Sequence, residues 1–216
     1  MRARLTSLLV PGLLTVVLAI GSAGCGGSGA DAADAAAAVT SCPAALRSGW
    51  TDLSRRAGVP VYCPAWLPSP LRPRIDRHAV PGAENATVSF SRDGSYLVSW
   101  IWAEAQTGEV HVILRGYPGR TTIPTCVISG SGTSASARHR VPCFADPHGT
   151  IRVGAIHATL YTVNQGADQW HLLYAWRHGG TLYTISQHVA APLGVSVVKG
   201  DLHRMLQNLA LVDAAG

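Results

Sequence analysis

The sequence predicts an α+β fold, in which a mainly antiparallel β-sheet of about six to eight strands carries an N-terminal and a C-terminal helix packed on it. Two observations lead to this prediction. Short segments in which apolar and polar residues alternate recur through the middle of the chain, separated by turn-forming residues. Apolar residues at helical spacing occur near both ends of the mature chain. A run of strands with helices at its ends is typical of the α+β class.

Six segments have the composition of strands, with β-branched and aromatic residues bounded by turn signals such as Asp93-Gly94 and His178-Gly179-Gly180. The predicted strands cover residues 86–92, 95–103, 110–117, 151–163, 169–177 and 181–188. A polar stretch between them, residues 129–140, is predicted to be an exposed loop.

The helical segments lie at either end of this run of strands. The first is predicted over residues 43–57, with Gly58 as a stop signal, and the second over residues 198–211. Their apolar stripes consist of Ala44, Leu46, Trp50 and Leu53 in the first helix and of Leu202, Met205, Leu206 and Leu209 in the second. Residues 59–73 contain five prolines and are predicted to form an extended, ordered loop.

The N-terminus has the three parts of a secretory signal peptide. Arg2 and Arg4 supply positive charge, residues 5–20 are apolar, and small residues precede Cys25. The apolar run is shorter than the ~20 residues that a membrane-spanning helix needs. Residues 1–24 are therefore predicted to be a signal peptide that is removed on export.

The tetrapeptide Ser22-Ala23-Gly24-Cys25 resembles a bacterial lipobox, whose cysteine is acylated and becomes the new N-terminus, although Ser22 stands where Leu is usual. The alternative is an ordinary cleaved signal in which Cys25 has no role. Because two or more acyl chains hold a protein firmly, we expect Cys25 to anchor it to the extracytoplasmic face of the cell membrane. Residues 25–41, rich in Gly and Ala, are predicted to be a flexible tether. Residues 42–216 then form a single domain.

Five cysteines indicate an oxidising compartment. If Cys25 carries lipid, an even number remains, namely Cys42, Cys63, Cys126 and Cys143. Four cysteines allow three disulfide connectivities, and we favour Cys42–Cys63 with Cys126–Cys143 because each closes a modest loop. The competing interpretation is a zinc–thiolate site, which the absence of a Cys-x-x-Cys pair disfavours.

The charge of the chain does not indicate a nucleic-acid partner. Lys+Arg is 17 and Asp+Glu is 12, which gives a formal net charge of +5. These charges are scattered rather than clustered on one segment. Binding to DNA or RNA is therefore not expected.

Three histidines are weak candidates for a metal site. No His-Glu-x-x-His motif occurs among the nine histidines of the chain. His157, His171 and His188 lie on predicted strands that could be neighbours, so their imidazoles could bind zinc or copper from one sheet face. The alternative is that these histidines are scattered on the surface or hydrogen-bonded individually. No metal or other cofactor is therefore assigned from the sequence.

The tryptophans allow two interpretations. Trp100 and Trp102 share one face of a predicted strand, and Trp176 is on a strand with similar spacing of aromatic residues. These side chains either bury the sheet against the two helices or line a cleft for an apolar ligand.

No catalytic motif is present in the sequence. The chain lacks a Gly-x-Ser-x-Gly elbow, a Walker A loop, a dinucleotide fingerprint and a close pair of carboxylates. A non-enzymatic role is therefore expected.

The combination of lipobox, Ala/Gly tether and disulfide-bearing β-rich domain resembles the small, uncharacterised extracytoplasmic lipoproteins of actinobacteria. The segment from Trp176 to Tyr183, followed by a Leu-rich C-terminal helix, is similar to the end of several such domains, and Pro64–Pro68 is similar to their proline-rich entry. The resemblance implies no catalytic residue. We expect a membrane-anchored binding or accessory module of the cell envelope, whose partner is an envelope protein or, alternatively, an apolar ligand that it carries or senses.

Overall fold

A seven-stranded antiparallel sheet forms the body of the computed structural model, which describes residues 41–75, 85–104, 108–129, 138–163 and 170–213. The elements in chain order are α1 (Ala44–Ala57), β1 (Val61–Pro64), β2 (Asn85–Phe90), β3 (Tyr96–Glu104), β4 (Gly108–Tyr117), β5 (Thr125–Ser129), β6 (Arg138–Pro142), β7 (Ala145–Val153), β8 (Ile156–Val163), β9 (His171–His178), β10 (Thr181–His188), α2 (Val195–Gln207) and β11 (Leu209–Val212). The α+β prediction, with one helix near each end, is confirmed at this level.

The sheet consists of two meanders joined at one seam. Its strand order is β2-β3-β4-β10-β9-β8-β7, so β2 to β4 form one meander and β7 to β10 form the other. The seam is the antiparallel pair β4–β10, whose register runs from Leu182 opposite Tyr117 to Gln187 opposite Val112. Two smaller antiparallel pairs, β1–β11 and β5–β6, lie outside this sheet.

Both helices pack on the same face of the sheet and contribute buried apolar side chains to one large core there. Trp50 of α1 is fully buried and stacks on Trp100 of β3, with ring centroids 6.2 Å apart. Leu202 and Met205 of α2 are also fully buried, and α2 contacts β9 and β10. We call this side of the sheet the helix face.

The helix ends follow from local backbone chemistry. Gly58 adopts φ +68°, a conformation that costs glycine little, and its N–H donates to the Ser54 carbonyl 2.9 Å away. At the other end, the Asn208 N–H donates to the Met205 carbonyl, and the chain continues as β11. The prediction that residues 209–211 belong to the second helix is therefore wrong, because these residues pair with β1 instead.

The favoured disulfide pairing agrees with the structure. Cys42 is bonded to Cys63, which ties the start of α1 to β1, and Cys126 is bonded to Cys143, which closes the β5–β6 pair. In the chain-entropy picture, each loop of this size adds about 3 kcal/mol to the free energy of unfolding. The second disulfide lies against a smaller apolar cluster on the opposite face of the sheet, which includes Phe144, Leu173 and Leu182.

Most of the predicted strands are present with shifted ends, but three segments differ. Residues 151–163 were expected to form one strand, yet the chain turns at Gly154, where φ is +54°, and forms β7 and β8. The proline-rich loop contains the short strand β1. The ends of the predicted polar loop form β5 and β6, and residues 130–137 lie outside the described residues.

Residues 1–40 also lie outside the described residues, so the predicted signal peptide, Cys25 and nearly all of the tether stay predictions. Within the part of the chain that the structure describes, neither helix is long and apolar enough to cross a membrane.

Two glycine substitutions test the register of the sheet. A Cβ atom added at Gly116 would overlap the ring of Tyr96, which is only 1% exposed, so Gly116→Ala should lower the free energy of unfolding by about 1–3 kcal/mol. Gly200 lies in α2 with no atom within 4 Å of such a Cβ, so Gly200→Ala should raise it by up to ~1 kcal/mol. Urea unfolding followed by tryptophan fluorescence measures both. Equal effects of the two variants would contradict the β3–β4 register.

Candidate functional site

The face of the sheet opposite the helices carries polar side chains at its centre, and we call it the polar face. Successive strand residues point to opposite sides, so the residues between the apolar positions of β3, β4, β9 and β10 share this face. They include Ser99, Glu109, His111, Arg115, His171, Thr184, Ser186 and His188. Four of them are buried, namely Ser99, His171, Thr184 and Ser186. Because buried polar groups need hydrogen-bond partners, this arrangement restricts their positions.

Three histidines meet on the polar face. The β9–β10 register places His188 directly opposite His171, and the β4–β10 seam brings His111 beside them. The ring centroids of His111 and His171 are 5.1 Å apart, those of His171 and His188 are 5.1 Å apart, and those of His111 and His188 are 6.5 Å apart. Together with Glu109, these residues form what we call the histidine cluster.

Three hydrogen bonds and one longer polar contact orient the three rings. Nδ1 of His188 lies 3.1 Å from Oε1 of Glu109, and Nδ1 of His111 lies 3.6 Å from the same oxygen. Nε2 of His111 is 3.0 Å from the Ser99 hydroxyl, and Nδ1 of His171 is 3.1 Å from the Ser186 hydroxyl. The glutamate therefore contacts two imidazoles, and two buried serines hold two of the rings.

The position of His171 keeps its imidazole neutral. The pKa of His171 is lowered to about 3, chiefly by burial and to a smaller extent by electrostatic interaction with His111, His188 and Arg115. A neutral imidazole has one donor and one acceptor nitrogen, so it can take part in the hydrogen-bond network or bind a metal ion without first losing a proton.

The structure brings together only two of the three histidines predicted from the sequence to lie side by side. His171 and His188 are neighbours, but His157 lies on β8 opposite Arg152 and is exposed. Val163 is the residue of β8 that pairs with His171, and His157 lies six residues before it. At ~3.3 Å per residue, the distance along β8 between these two positions is about 20 Å. His111 takes its place in the cluster. The alternating sequence of β4 predicts only that His111 points away from Val110 and Val112. That β4 pairs with β10 is not evident from this local pattern.

The histidine cluster is not a preformed coordination sphere. Among the residues that the structure describes, no group of three or more His, Cys, Asp or Glu side chains is positioned around one point to hold a metal ion. As it stands, the cluster is a network of polar contacts in which Glu109 lies beside two imidazoles.

An exposed tryptophan precedes the cluster in the chain. Trp170 is 73% exposed and adopts φ +67°, a conformation that side-chain-bearing residues rarely occupy. Its carbonyl accepts a 2.7 Å hydrogen bond from the N–H of Val189, which anchors this backbone next to His171 and His188. An apolar ring is thus exposed next to His171 in the chain.

A pocket of about 460 Å³ lies near the other end of β4, and we call it the arginine pocket. Its charged lining residues are Arg92, Asp93 and Arg115, and the Cys126–Cys143 disulfide forms part of its wall. The hydroxyl-bearing residues that line it are Ser89, Ser91, Ser95, Tyr96, Tyr117 and Thr125. Guanidinium and hydroxyl groups are hydrogen-bond donors of the kind that bind anions.

The aspartate of the arginine pocket already has partners. Its carboxylate accepts hydrogen bonds from the backbone N–H and the hydroxyl of Ser95, at 3.1 and 2.6 Å, and from Arg120 at 3.0 Å. The bonds from Ser95, more than the charge of Arg120, lower the pKa of Asp93. These contacts fix the turn between β2 and β3 and offset the negative charge of Asp93.

The arginine pocket and the histidine cluster share β4. His111, Ile113, Arg115 and Tyr117 alternate along the strand and therefore lie on the same face. Arg115 lines the arginine pocket, and its charge also acts on His171. The two groups are thus neighbouring parts of the polar face.

The predicted tryptophan surface lies on the helix face. Trp100 and Trp176 are 1% and 2% exposed, and Trp102 is half-buried against the same core. Trp100 stacks on Trp50, and Trp176 contacts the rings of Tyr62 and Tyr183. Trp100 and Trp176 therefore act as core residues and present almost no surface to a ligand in this structure.

The pH dependence of stability tests the environment of His171. Because its folded pKa of about 3 is below the ordinary value of 6.5, the unfolded chain binds more protons between these values. The contribution of His171 to stability is therefore complete above pH ~6.5 and falls by about 1.4 kcal/mol per pH unit as the pH drops toward 3. We expect His171→Gln to flatten the plot of unfolding free energy against pH, measured by urea unfolding in buffer that contains a chelator. His157→Gln, an exposed control, should leave the slope unchanged; equal slopes for all three proteins would contradict the account.

Comparison with known proteins assigns no family to the chain. No family model matches it, and neither the curated proteins nor the solved structures contain a match. The resemblance to small actinobacterial lipoproteins stays a prediction, and the functional interpretation rests on the chemistry of the polar face.

Proposed function

We propose that the protein is an exported, lipid-anchored binding module of the cell envelope, which holds a small anionic ligand in the arginine pocket without turning it over. The pocket is the observation that carries this proposal. The anchor is inferred from the signal peptide and the lipobox at Cys25, and the exported state is supported by the two disulfides.

The size and chemistry of the arginine pocket favour a small anion as the ligand. Its volume of about 460 Å³ is within the range of small-molecule sites, which is roughly 300–1,000 Å³. Arg92 lines the pocket with a guanidinium group, a type of group that pairs with carboxylate or phosphate oxygens through parallel N–H donors, and Arg115 adds positive charge. The exposed residues Ser89, Ser91 and Thr125 carry hydroxyl groups that can donate to further oxygen atoms of the same ligand.

A disulfide and a set of hydrogen bonds restrain parts of the wall of the arginine pocket. The Cys126–Cys143 disulfide constrains one side, and the contacts of Asp93 with Ser95 and Arg120 constrain the other. A binding site that is already ordered loses less conformational entropy when the ligand enters. The proposed role is therefore capture of the ligand at the membrane surface, and no cofactor is part of the proposal.

The lipid anchor is tested by cell fractionation, which shows whether each variant remains with the membrane. Cys25→Ser removes the atom that would be acylated, so the protein should leave the membrane fraction or accumulate unprocessed, and it should lose incorporation of radiolabelled palmitate. Ser22→Leu, which restores the usual lipobox residue, should remain membrane-bound and labelled. If the Cys25→Ser variant stays fully in the membrane fraction after processing, lipid is not the anchor.

The arginine pocket is tested by anion binding. Inorganic phosphate and succinate serve as probes, titrated into the full chain by calorimetry. Removal of a charge-assisted hydrogen bond costs about 1.5–3 kcal/mol, so Arg92→Gln and Arg115→Gln should each weaken binding of the accepted anion by roughly 10- to 100-fold. Arg152→Gln, on the exposed surface of β7, is the matched control and should bind as the wild type does. Absence of saturable binding of both anions, or equal affinity in all variants, would refute the proposal.

A further inference from the structure

We infer that the histidine cluster binds a divalent transition-metal ion of the zinc class, with Oε1 of Glu109 and the Nδ1 atoms of His111 and His188 as its ligands. This site is separate from the arginine pocket and goes beyond the anion-binding function. Imidazole nitrogen and carboxylate oxygen are the donors that zinc accepts besides thiolate.

The distances around Glu109 resemble the edges of a coordination tetrahedron. Zinc binds nitrogen and oxygen at about 2.0–2.2 Å, which places neighbouring ligand atoms about 3.3 Å apart. Oε1 of Glu109 lies 3.1 Å from Nδ1 of His188 and 3.6 Å from Nδ1 of His111. Two of the three edges between these atoms are therefore within about 0.3 Å of the length that zinc requires.

Side-chain rotation has to complete the site, because the described residues do not already surround one point. The three proposed ligands have room for this rotation. The side chains of His111, His188 and Glu109 are 18%, 24% and 36% exposed, so each borders solvent on the polar face. In the metal-bound state each imidazole would present an unprotonated Nδ1 to the ion and carry its proton on Nε2.

A buried serine supports the proposed coordination. The Ser99 hydroxyl lies 3.0 Å from Nε2 of His111 and is held within the sheet, where Ser99 is 8% exposed. This contact leaves Nδ1 of His111 as the nitrogen that faces Glu109. Metal-binding histidines are commonly oriented in this way through their second nitrogen. Ser99 is therefore a positioning residue.

His171 is placed to complete the site. Its ring lies 5.1 Å from the rings of both His111 and His188, and its Nδ1 is paired with Ser186. In the described part of the chain, no hydrogen bond reaches Nε2 of His171. This nitrogen or a water molecule would supply the fourth ligand of a tetrahedral ion.

The test is a metal titration of the full chain, purified with an affinity tag that lacks histidine and treated with a chelator. Zn²⁺ is titrated by calorimetry, and Co²⁺ is added separately because its absorption reports tetrahedral coordination. We expect one equivalent to bind to the wild type, no binding to His188→Ala, and binding weakened roughly 10- to 100-fold in Ser99→Ala. His157→Ala is the matched control, since His157 is exposed on the same face, and it should retain one equivalent.

A second measurement follows zinc binding in the wild type itself, so it does not require the histidine variants to fold. Zn²⁺ added to the wild type should shift the NMR signals of the His111 and His188 rings, leave those of His157 and His139 in place, and raise the melting temperature. Arg92→Gln should bind Zn²⁺ as the wild type does, so the metal site and the anion site can fail independently. Lack of stoichiometric binding to the wild type, or signal shifts confined to histidines outside the cluster, would overturn the inference.

Discussion

The antiparallel pairing of β4 with β10 is the contact on which the rest of the structure depends. It joins two meanders that are far apart in the chain and makes them one seven-stranded sheet. On the helix face it places Leu114 beside Ile185, both fully buried in the core. On the polar face it brings His111 of one meander to His171 and His188 of the other. A shift of this pairing by one residue would exchange the two faces of a whole meander.

The two faces of the sheet have different physical roles. The helix face buries large aromatic and aliphatic side chains, and burial of apolar area contributes about 25 cal/mol per Å² to folding. The polar face buries serine, threonine and histidine, whose burial is costly unless each finds a hydrogen-bond partner. The network around Glu109, Ser99 and Ser186 provides such partners. This use of buried polar groups distinguishes the polar face from the apolar packing of the helix face.

The local patterns in the sequence were sufficient to predict much of the fold. Alternation located β2, β3, β4, β9 and β10, and helical spacing located both helices, because these signals depend on neighbouring residues. The strand β11 was missed because Leu209–Val212 continues the apolar spacing of α2, and only its pairing with β1 decides the conformation. The break between β7 and β8 depends on the positive φ of Gly154, which alternation does not indicate.

The candidate site was less accessible to sequence analysis, for the same reason. Both disulfides were found because cysteines close in the chain are natural partners. His171 and His188 were found because they lie on successive strands, whereas His111 joins them through the long-range seam. The arginine pocket combines the β2–β3 turn with β4, β5 and the residue that follows β6, and no single segment shows that combination.

A crystal structure of the full chain, grown with zinc and with the anion that the arginine pocket accepts, tests the central claim most directly. The claim is that ligands bind on the polar face and that the helix face is packed core. We expect an anomalous zinc signal among Glu109, His111 and His188, and anion density beside Arg92 and Arg115. Ligand density between the sheet and the helices, or an empty polar face under these conditions, would contradict the account.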